Sequence, residues 1–154
     1  MTTILQLGPG DAGLMDAVLS FFGEAFNDPV SYTSKRPSTD YLRTLLGGDS
    51  FIALAKLDGD KVTGALCAYE LRKFEQERSE IYIYDLAVAA AHRRKGVATA
   101  LIRELQHIGA RRGAWVIFVQ ADPPDEPAVA LYAKLGARED VLHFDIPVRP
   151  TPRT

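Results

Sequence analysis

The chain has little from which disulfide or metal chemistry could be built. Among its 154 residues are one cysteine and three histidines. A lone thiol excludes an internal disulfide framework and a cysteine-based zinc site. His92, His107 and His143 stand at no metal-ligand spacing, so no metal is expected. No apolar run is long enough to cross a bilayer. The opening "MTTILQLGPGD" lacks the basic region and apolar core of a signal peptide, so a cytoplasmic location without a membrane partner is expected. A basic excess is also missing. The net charge of −2 argues against nucleic acid as the main partner and leaves cationic partners open. A chain that is 47% hydrophobic and 25% charged reads as globular, and its length suits one domain, placed at residues 1–148 with 149–154 as a tail.

What is present alternates strand and helix patterns. "TILQL" predicts a first strand, and "DAGLMDAVLSFFGEAF" a helix with Leu14, Val18, Phe22 and Phe26 on one side and Asp11 at its start. "NDPVSYTSKRPS" reads as a loop, and residues 38–46 as a second helix stopped by Gly47 and Gly48. "FIALAKL", "DGD" and "KVTGALCAYEL" predict a hairpin, followed by the polar connection "RKFEQERSE". "IYIYDLAV" predicts a fourth strand. A third helix over 96–112 carries Ala98, Leu101, Ile102, Leu105 and Ile108 on one face, and "AWVIFVQA" predicts a fifth strand. A short helix ends at Leu135 before Gly136, and "DVLHFDI" predicts a last strand. The order βααβββαβαβ implies an α+β fold, a mixed sheet flanked by helices.

Between the fourth strand and the third helix, His92, Arg93, Arg94 and Lys95 crowd against Gly96. A helix starting there leaves its first N–H groups unpartnered at the positive end of its dipole, and glycine lets a ligand approach the backbone. That combination suits a phosphate or pyrophosphate, though by physics alone a solvated basic loop fits equally well. No Gly-Lys-Ser/Thr phosphate loop is present. "GPGDAG" matches G-x-G-x-x-G, but the strand ending in an acid that a dinucleotide site requires is missing, so a turn is expected.

Residues 93–98, "RRKGVA", carry the R/Q-x-x-G-x-G/A pattern, and "EPAVALYAKLGARE" follows A-x-x-L-Y-x-K-x-G through Ala128, Leu131, Tyr132, Lys134 and Gly136. On these blocks the chain resembles the GNAT superfamily of N-acetyltransferases. "KFEQERSEIYIYDLAV", "FVQAD", "PAVALY" and "HFDI" further resemble the type I aminoglycoside 3-N-acetyltransferases, over roughly residues 40–146. The resemblance implies the GNAT fold, with strands 4 and 5 splayed apart. It implies acetyl-CoA as cofactor, its pyrophosphate on Arg93, Arg94, Lys95, Gly96, Val97, Ala98 and Thr99. Its pantetheine arm would lie along Leu86, Ala87 and Val88, with Asp125, Ala128 and Tyr132 also at the cofactor. A homodimer is compatible with the family. The implied function is acetylation of the 3-amino group of gentamicin-type aminoglycosides, which gives antibiotic resistance. Another small polyamine as acceptor, or a non-catalytic acetyl-CoA-binding regulatory domain, are the alternatives.

Acetyl transfer to an amine needs a stabilised oxyanion, a proton acceptor and a proton for the departing thiolate. Strand alternation puts Asp85 on the face of Ile81 and Ile83, a conflict that a bulge near Leu86 would remove. Such a bulge is a feature of the family, and it makes the Val88 N–H the oxyanion candidate. Tyr132 resembles the family's general acid. Asp122 is the first candidate base and Glu80 the second. A polycationic acceptor calls for carboxylates, and Asp122, Asp125, Glu126 and Asp145, with Tyr84, are the candidate substrate ligands. Asp145 draws attention as an acid within an apolar strand. Cys67, inside "GALCAYEL", reads as a buried small hydrophobe rather than a nucleophile.

Overall fold

The structure is a computed structural model and describes residues 3–149. The chain divides into two compact units, Met1–Gln120 and Ala121–Thr154. The first holds a five-stranded sheet in the order β1 (Ile4–Gln6), β2 (Phe51–Asp58), β3 (Lys61–Arg72), β4 (Ser79–Val88) and β5 (Ala114–Val119). Neighbours run antiparallel except β4 and β5, which are parallel. Helices α1 (Ala12–Ala25), α2 (Pro29–Thr33) and α3 (Thr39–Gly47) precede β2, and α4 (Val97–Arg112) links β4 to β5. This mixed sheet flanked by helices is the expected α+β fold.

Local chemistry explains most element ends. The Ser38 hydroxyl accepts a hydrogen bond from the Tyr41 N–H and starts α3. The β2–β3 turn passes through Gly59 at φ 62°, where a side chain would be strained. "GPGDAG" is a single helical turn closed by the Gly8 N–H donating to Asp11 Oδ2, which settles it as a turn. The stretch expected as a loop contains α2. Asp28 accepts from the Ser31 N–H and Pro29 opens the helix, so an Asp-Pro start outweighed the crowd of turn residues.

Two apolar layers clasp the sheet. On one face Phe51, Ala53, Ala55, Ala65 and Cys67 pack with Met15, Val18, Phe21 and Phe22 of α1 and Leu42 and Leu46 of α3. The other buried strand residues, including Ile52, Leu54, Leu66, Ile81 and Ile83, lie opposite, where α4 buries Val97, Leu101, Ile102, Leu105 and Ile108. Ala98, expected on that buried stripe, is half-buried, and Val97 takes the place beneath the helix start. The approach is close at Gly64 of β3, where an added Cβ would sit 2.7 Å from Val97 Cγ1.

The second unit contains α5 (Glu126–Leu135), started by Asp125, whose carboxylate accepts from the Ala128 N–H, with Pro127 in its first turn. The strand expected at "DVLHFDI" is absent. Residues 137–146 carry no regular structure, and among the described residues the sheet stops at β5. The alternation is real, but a strand exists only where a neighbour accepts its backbone hydrogen bonds.

A Gly64→Ala substitution should destabilise the protein by about 1–3 kcal/mol, because the stiff Val97 side chain cannot swing away. Urea unfolding checks this, and an unchanged midpoint would contradict the packing.

Candidate functional site

The register between β3 and β4 slips at one point. Cys67 lies opposite Asp85 but Ala68 opposite Ile83, so Tyr84 has no partner on β3. This is the bulge expected near Leu86, found two residues earlier. It returns Asp85 to the face of Tyr82, Tyr69 and Cys67, away from the buried isoleucines. On its other side β4 pairs with β5 only from Ser79 to Ile83, so residues 84–88 splay from β5. The alternation of an antiparallel ladder fixes which backbone groups face the gap. The Ala89 N–H donates to the Thr63 carbonyl on β3, so Ala87 and Asp85 also turn toward β3, and Leu86 and Val88 turn toward the opening.

Beyond the opening the chain reaches the basic loop. Arg94 takes φ 61° and Gly96 φ 78°, and Gly96 begins α4 with no side chain capping it. An arginine held in the left-handed region is strained, and this turn sits beneath unpartnered first-turn amides. Arg93 Nε donates to the Val88 carbonyl at 3.2 Å, tying the loop to the end of β4. Arg93, Arg94 and Lys95 are exposed, Thr99 half-buried. Uncapped amides, a left-handed glycine and three cations fit the pyrophosphate of a coenzyme, and the Leu86 and Val88 backbone fits an extended amide-bearing arm.

On the α1 side the splay opens beside a cluster of rings. Tyr82 stacks on Phe118 with centroids 4.7 Å apart, and its hydroxyl donates to Gln120 Oε1. Tyr84, 63% exposed, meets Tyr82 and Tyr69 edge to face. Asp85 sits among them and accepts a 2.9 Å hydrogen bond from the Tyr32 hydroxyl of α2. Burial raises the Asp85 carboxyl above its usual range, against the opposing effect of that hydrogen bond. Burial, then the Asp85 charge, also raises the Tyr32 phenol. Sequence reasoning missed Asp85 and Tyr32 as site residues. The signal for Asp85 was its conflict with the isoleucine face; for Tyr32, in a stretch expected to be loop, there was none.

The other candidates divide between the two units. Glu80 lies on β4, on the face of Tyr82, where it accepts from Trp115 Nε1 at 3.1 Å and lies 3.4 Å from Lys73 Nζ. In the second unit Asp122 and Glu126 are exposed, and the Asp122 carboxylate has no side-chain partner among the described residues. Asp125 caps α5. Tyr132 is half-buried, and burial followed by the Asp125 charge raises its phenol above the usual range. Asp145 is exposed and bonds His143 at 2.8 Å, so the argument from an acid inside a buried strand does not apply to it. No group of metal ligands occurs among the described residues, and no helix there is long and apolar enough to cross a membrane.

Residues 14–137 match the Acetyltransferase (GNAT) family. The chain belongs to that family. Members of that family use acetyl-CoA. Two solved structures are similar to it over nearly their whole length. The aminoglycoside acetyltransferase HMB0005, from an uncultured soil metagenomic sample, is 62% identical, with a TM-score of 0.94, covering 97% of this chain and 99% of that one. The aminoglycoside acetyltransferase meta-AAC0020, also from an uncultured soil metagenomic sample and solved with sisomicin, is 27% identical, with a TM-score of 0.87 over 96% and 97% of the two chains. Among curated proteins, N-acetyltransferase 8B of Rattus norvegicus is 26% identical over 86 residues, 56% of this chain and 39% of that protein. The probable N-acetyltransferase family 8 member 5 of Mus musculus is 21% identical over 82% of this chain and 55% of its own length. The chain thus spans about half or less of the length of these curated relatives.

Cys67, buried opposite Asp85, has its thiol pushed well up by burial, which leaves almost no thiolate at neutral pH. Iodoacetamide labelling at pH 8 should be roughly a hundredfold slower in the native protein than in urea. Equal rates would show the thiol to be accessible and reopen a covalent route.

Proposed function

We propose that this acetyltransferase transfers the acetyl group of acetyl-CoA directly, in a ternary complex, to the 3-amino group of gentamicin-type aminoglycosides, and so gives resistance to them. The observation that carries the reading is the opening of the sheet at residues 84–88, with an uncapped basic helix start on one side and the half-buried Asp85 carboxylate among tyrosine rings on the other. The acceptor class is supported by 62% identity with the aminoglycoside acetyltransferase HMB0005. One domain, residues 1–148, carries the activity in this proposal, with 149–154 as a tail and a cytoplasmic setting.

The acetyl thioester supplies an activated acyl group. In the proposed arrangement Arg93, Arg94, Lys95 and the amides of Gly96, Val97, Ala98 and Thr99 hold the pyrophosphate, and Leu86, Ala87 and Val88 align the pantetheine arm. The Val88 N–H, aimed into the gap, steadies the oxyanion. Asp125 and Ala128 belong to the cofactor side, and the Tyr132 phenol gives its proton to the departing sulfur. A raised phenol stays protonated at neutral pH, as a general acid requires. Asp122 takes the amine's proton ahead of Glu80, because Lys73 and Trp115 already engage the Glu80 carboxylate. Tyr84, Asp125, Glu126 and Asp145 complete the acceptor contacts. A carboxylate among rings also suits other small polyamines, which form the second reading.

We also propose a homodimer. Val141, Leu142, Phe144, Ile146 and Val148 are 66–100% exposed, and from Leu142 onward the apolar residues alternate with His143 and Asp145, which bond each other as same-face neighbours do in an extended chain. Among the described residues β5 has one strand neighbour and thus a free edge. Adding this segment to the β5 edge of a second copy, and the reverse, satisfies both features at once. Light scattering should give twice the chain mass, and Phe144→Asp with Ile146→Asp should give the monomer; a monomeric parent would refute the dimer.

Purified protein with acetyl-CoA should release thiol on addition of gentamicin, with the acetyl group on its 3-amino nitrogen. Tyr132→Phe should lower kcat about tenfold or more while leaving coenzyme binding within twofold. Acetylation at another nitrogen, or unchanged turnover in the variant, would refute the regiochemistry or the acid in turn.

A further inference from the structure

β3 carries a skipped residue of its own, on the β2 side. Lys56 lies opposite Gly64 but Leu57 opposite Val62, so Thr63 has no partner on β2. The extra residue reverses the alternation. Val62 joins the α1-side core with Ala65 and Cys67, although it stands an odd number of positions from both. Thr63 itself is fully buried, at 0% exposure. A hydroxyl in such a place is unfavourable unless bonded, and the partner it finds is the Lys56 carbonyl across the bulge, at 3.3 Å. Valine has the same branched shape and would fill the space without that requirement. The hydroxyl therefore ties β3 to β2 where the ladder leaves a gap.

On its other side the bulge holds the end of β4. The Thr63 carbonyl accepts from the Ala89 N–H at 2.8 Å, after which the chain leaves the strand for the single turn Ala90–His92. The next residue of β3, Gly64, pairs with Val88 and lies beneath Val97. Thr63 and Gly64 thus carry both the strand end that bears the Val88 N–H and the first residue of α4.

We propose that Thr63 is a positioning residue for acyl transfer: its hydroxyl fixes the bulge, its carbonyl fixes Ala89, and together they set the direction of the Val88 N–H. This rests on the acyl-site reading above and adds a fully buried residue that acts through its neighbours. Residues 84–88 lack β5 on one side, so β3 alone determines how the Val88 amide is aimed. A donor to a developing oxyanion acts only when aligned, and a misplacement of about 1 Å costs about a hundredfold in rate.

Packing and positioning predict opposite orders among the variants. Thr63→Val keeps the shape and loses the hydroxyl; Thr63→Ser keeps the hydroxyl and loses a methyl group. Were Thr63 only a filler of the core, valine would be tolerated and serine would be the poorer replacement.

The test compares the parent, both variants and Thr63→Ala in acetyl transfer from acetyl-CoA to gentamicin, with melting curves to establish folding. Thr63→Val should lower kcat about tenfold or more with the KM for acetyl-CoA within threefold, and Thr63→Ser should keep kcat within threefold of the parent. A kcat within about threefold for Thr63→Val, or a loss in Thr63→Ser as large as in Thr63→Val, overturns the assignment. If Thr63→Val does not fold, Thr63→Ala against Thr63→Ser makes the same comparison, since these differ only in the hydroxyl. A lower kcat in Thr63→Ala then supports the assignment, and equal values overturn it. If the parent does not acetylate gentamicin, the function proposed above fails, and amide hydrogen exchange of the free protein judges the tie from Thr63 to Ala89 alone. Exchange at Ala89 about tenfold faster in Thr63→Val than in Thr63→Ser supports the tie, and equal exchange overturns it.

Discussion

One unpaired residue, Tyr84, organises the site. Because β3 skips it, the parity of β4 reverses there, and because β5 stops pairing at Ile83, the strand parts from its parallel neighbour at the same place. The backbone on one side of that point is held by two strands, and on the other side by one. A parallel sheet normally satisfies both edges of an inner strand. Here the Leu86 and Val88 groups face the opening, and the polar side chain that follows the bulge is turned to the α1 side, where Tyr32 holds it, rather than among the isoleucines under α4.

The helix that follows depends on the same geometry. Residues 84–88 end at Ala89, whose N–H is held by Thr63, and the chain then turns through Arg94 and Gly96 in left-handed conformations to start α4. Arg93 returns to the Val88 carbonyl, so the loop that carries positive charge is anchored to the strand that carries free amides. Gly64 lets Val97 close onto β3 directly below. The basic loop and the open strand edge are thus positioned by one strand end and one close contact.

Much of this was readable in the sequence. The strands through β5, helices α1, α3 and α4, and the splay were expected from periodicity and from the "RRKGVA" and "ALYAKLG" blocks. The mismatch at Asp85 announced a bulge, though not its position, because alternation shows that parity changes without showing which residue is skipped. Alternation alone marks Asp85 as a problem of register, and its place beside Tyr32 follows only from the pairing with β3. Helix α2 was hidden because a five-residue helix rests on one cap and one proline, signals that a loop also carries. "DVLHFDI" had the right alternation and no described neighbour to pair with, since periodicity reports a strand's face and says nothing of its partner.

The Leu86 and Val88 amides face the opening with no β5 partner, which is what the proposed acyl-donor slot requires. Residue-resolved amide hydrogen exchange, with and without acetyl-CoA, tests this directly. Exchange at Leu86 and Val88 should slow on adding the coenzyme, while Ala87, already turned toward β3, stays as it was. Protection confined to α4, or slowing at Ala87 equal to that at Leu86 and Val88, would contradict the slot and with it the reading of the splay as the acyl site.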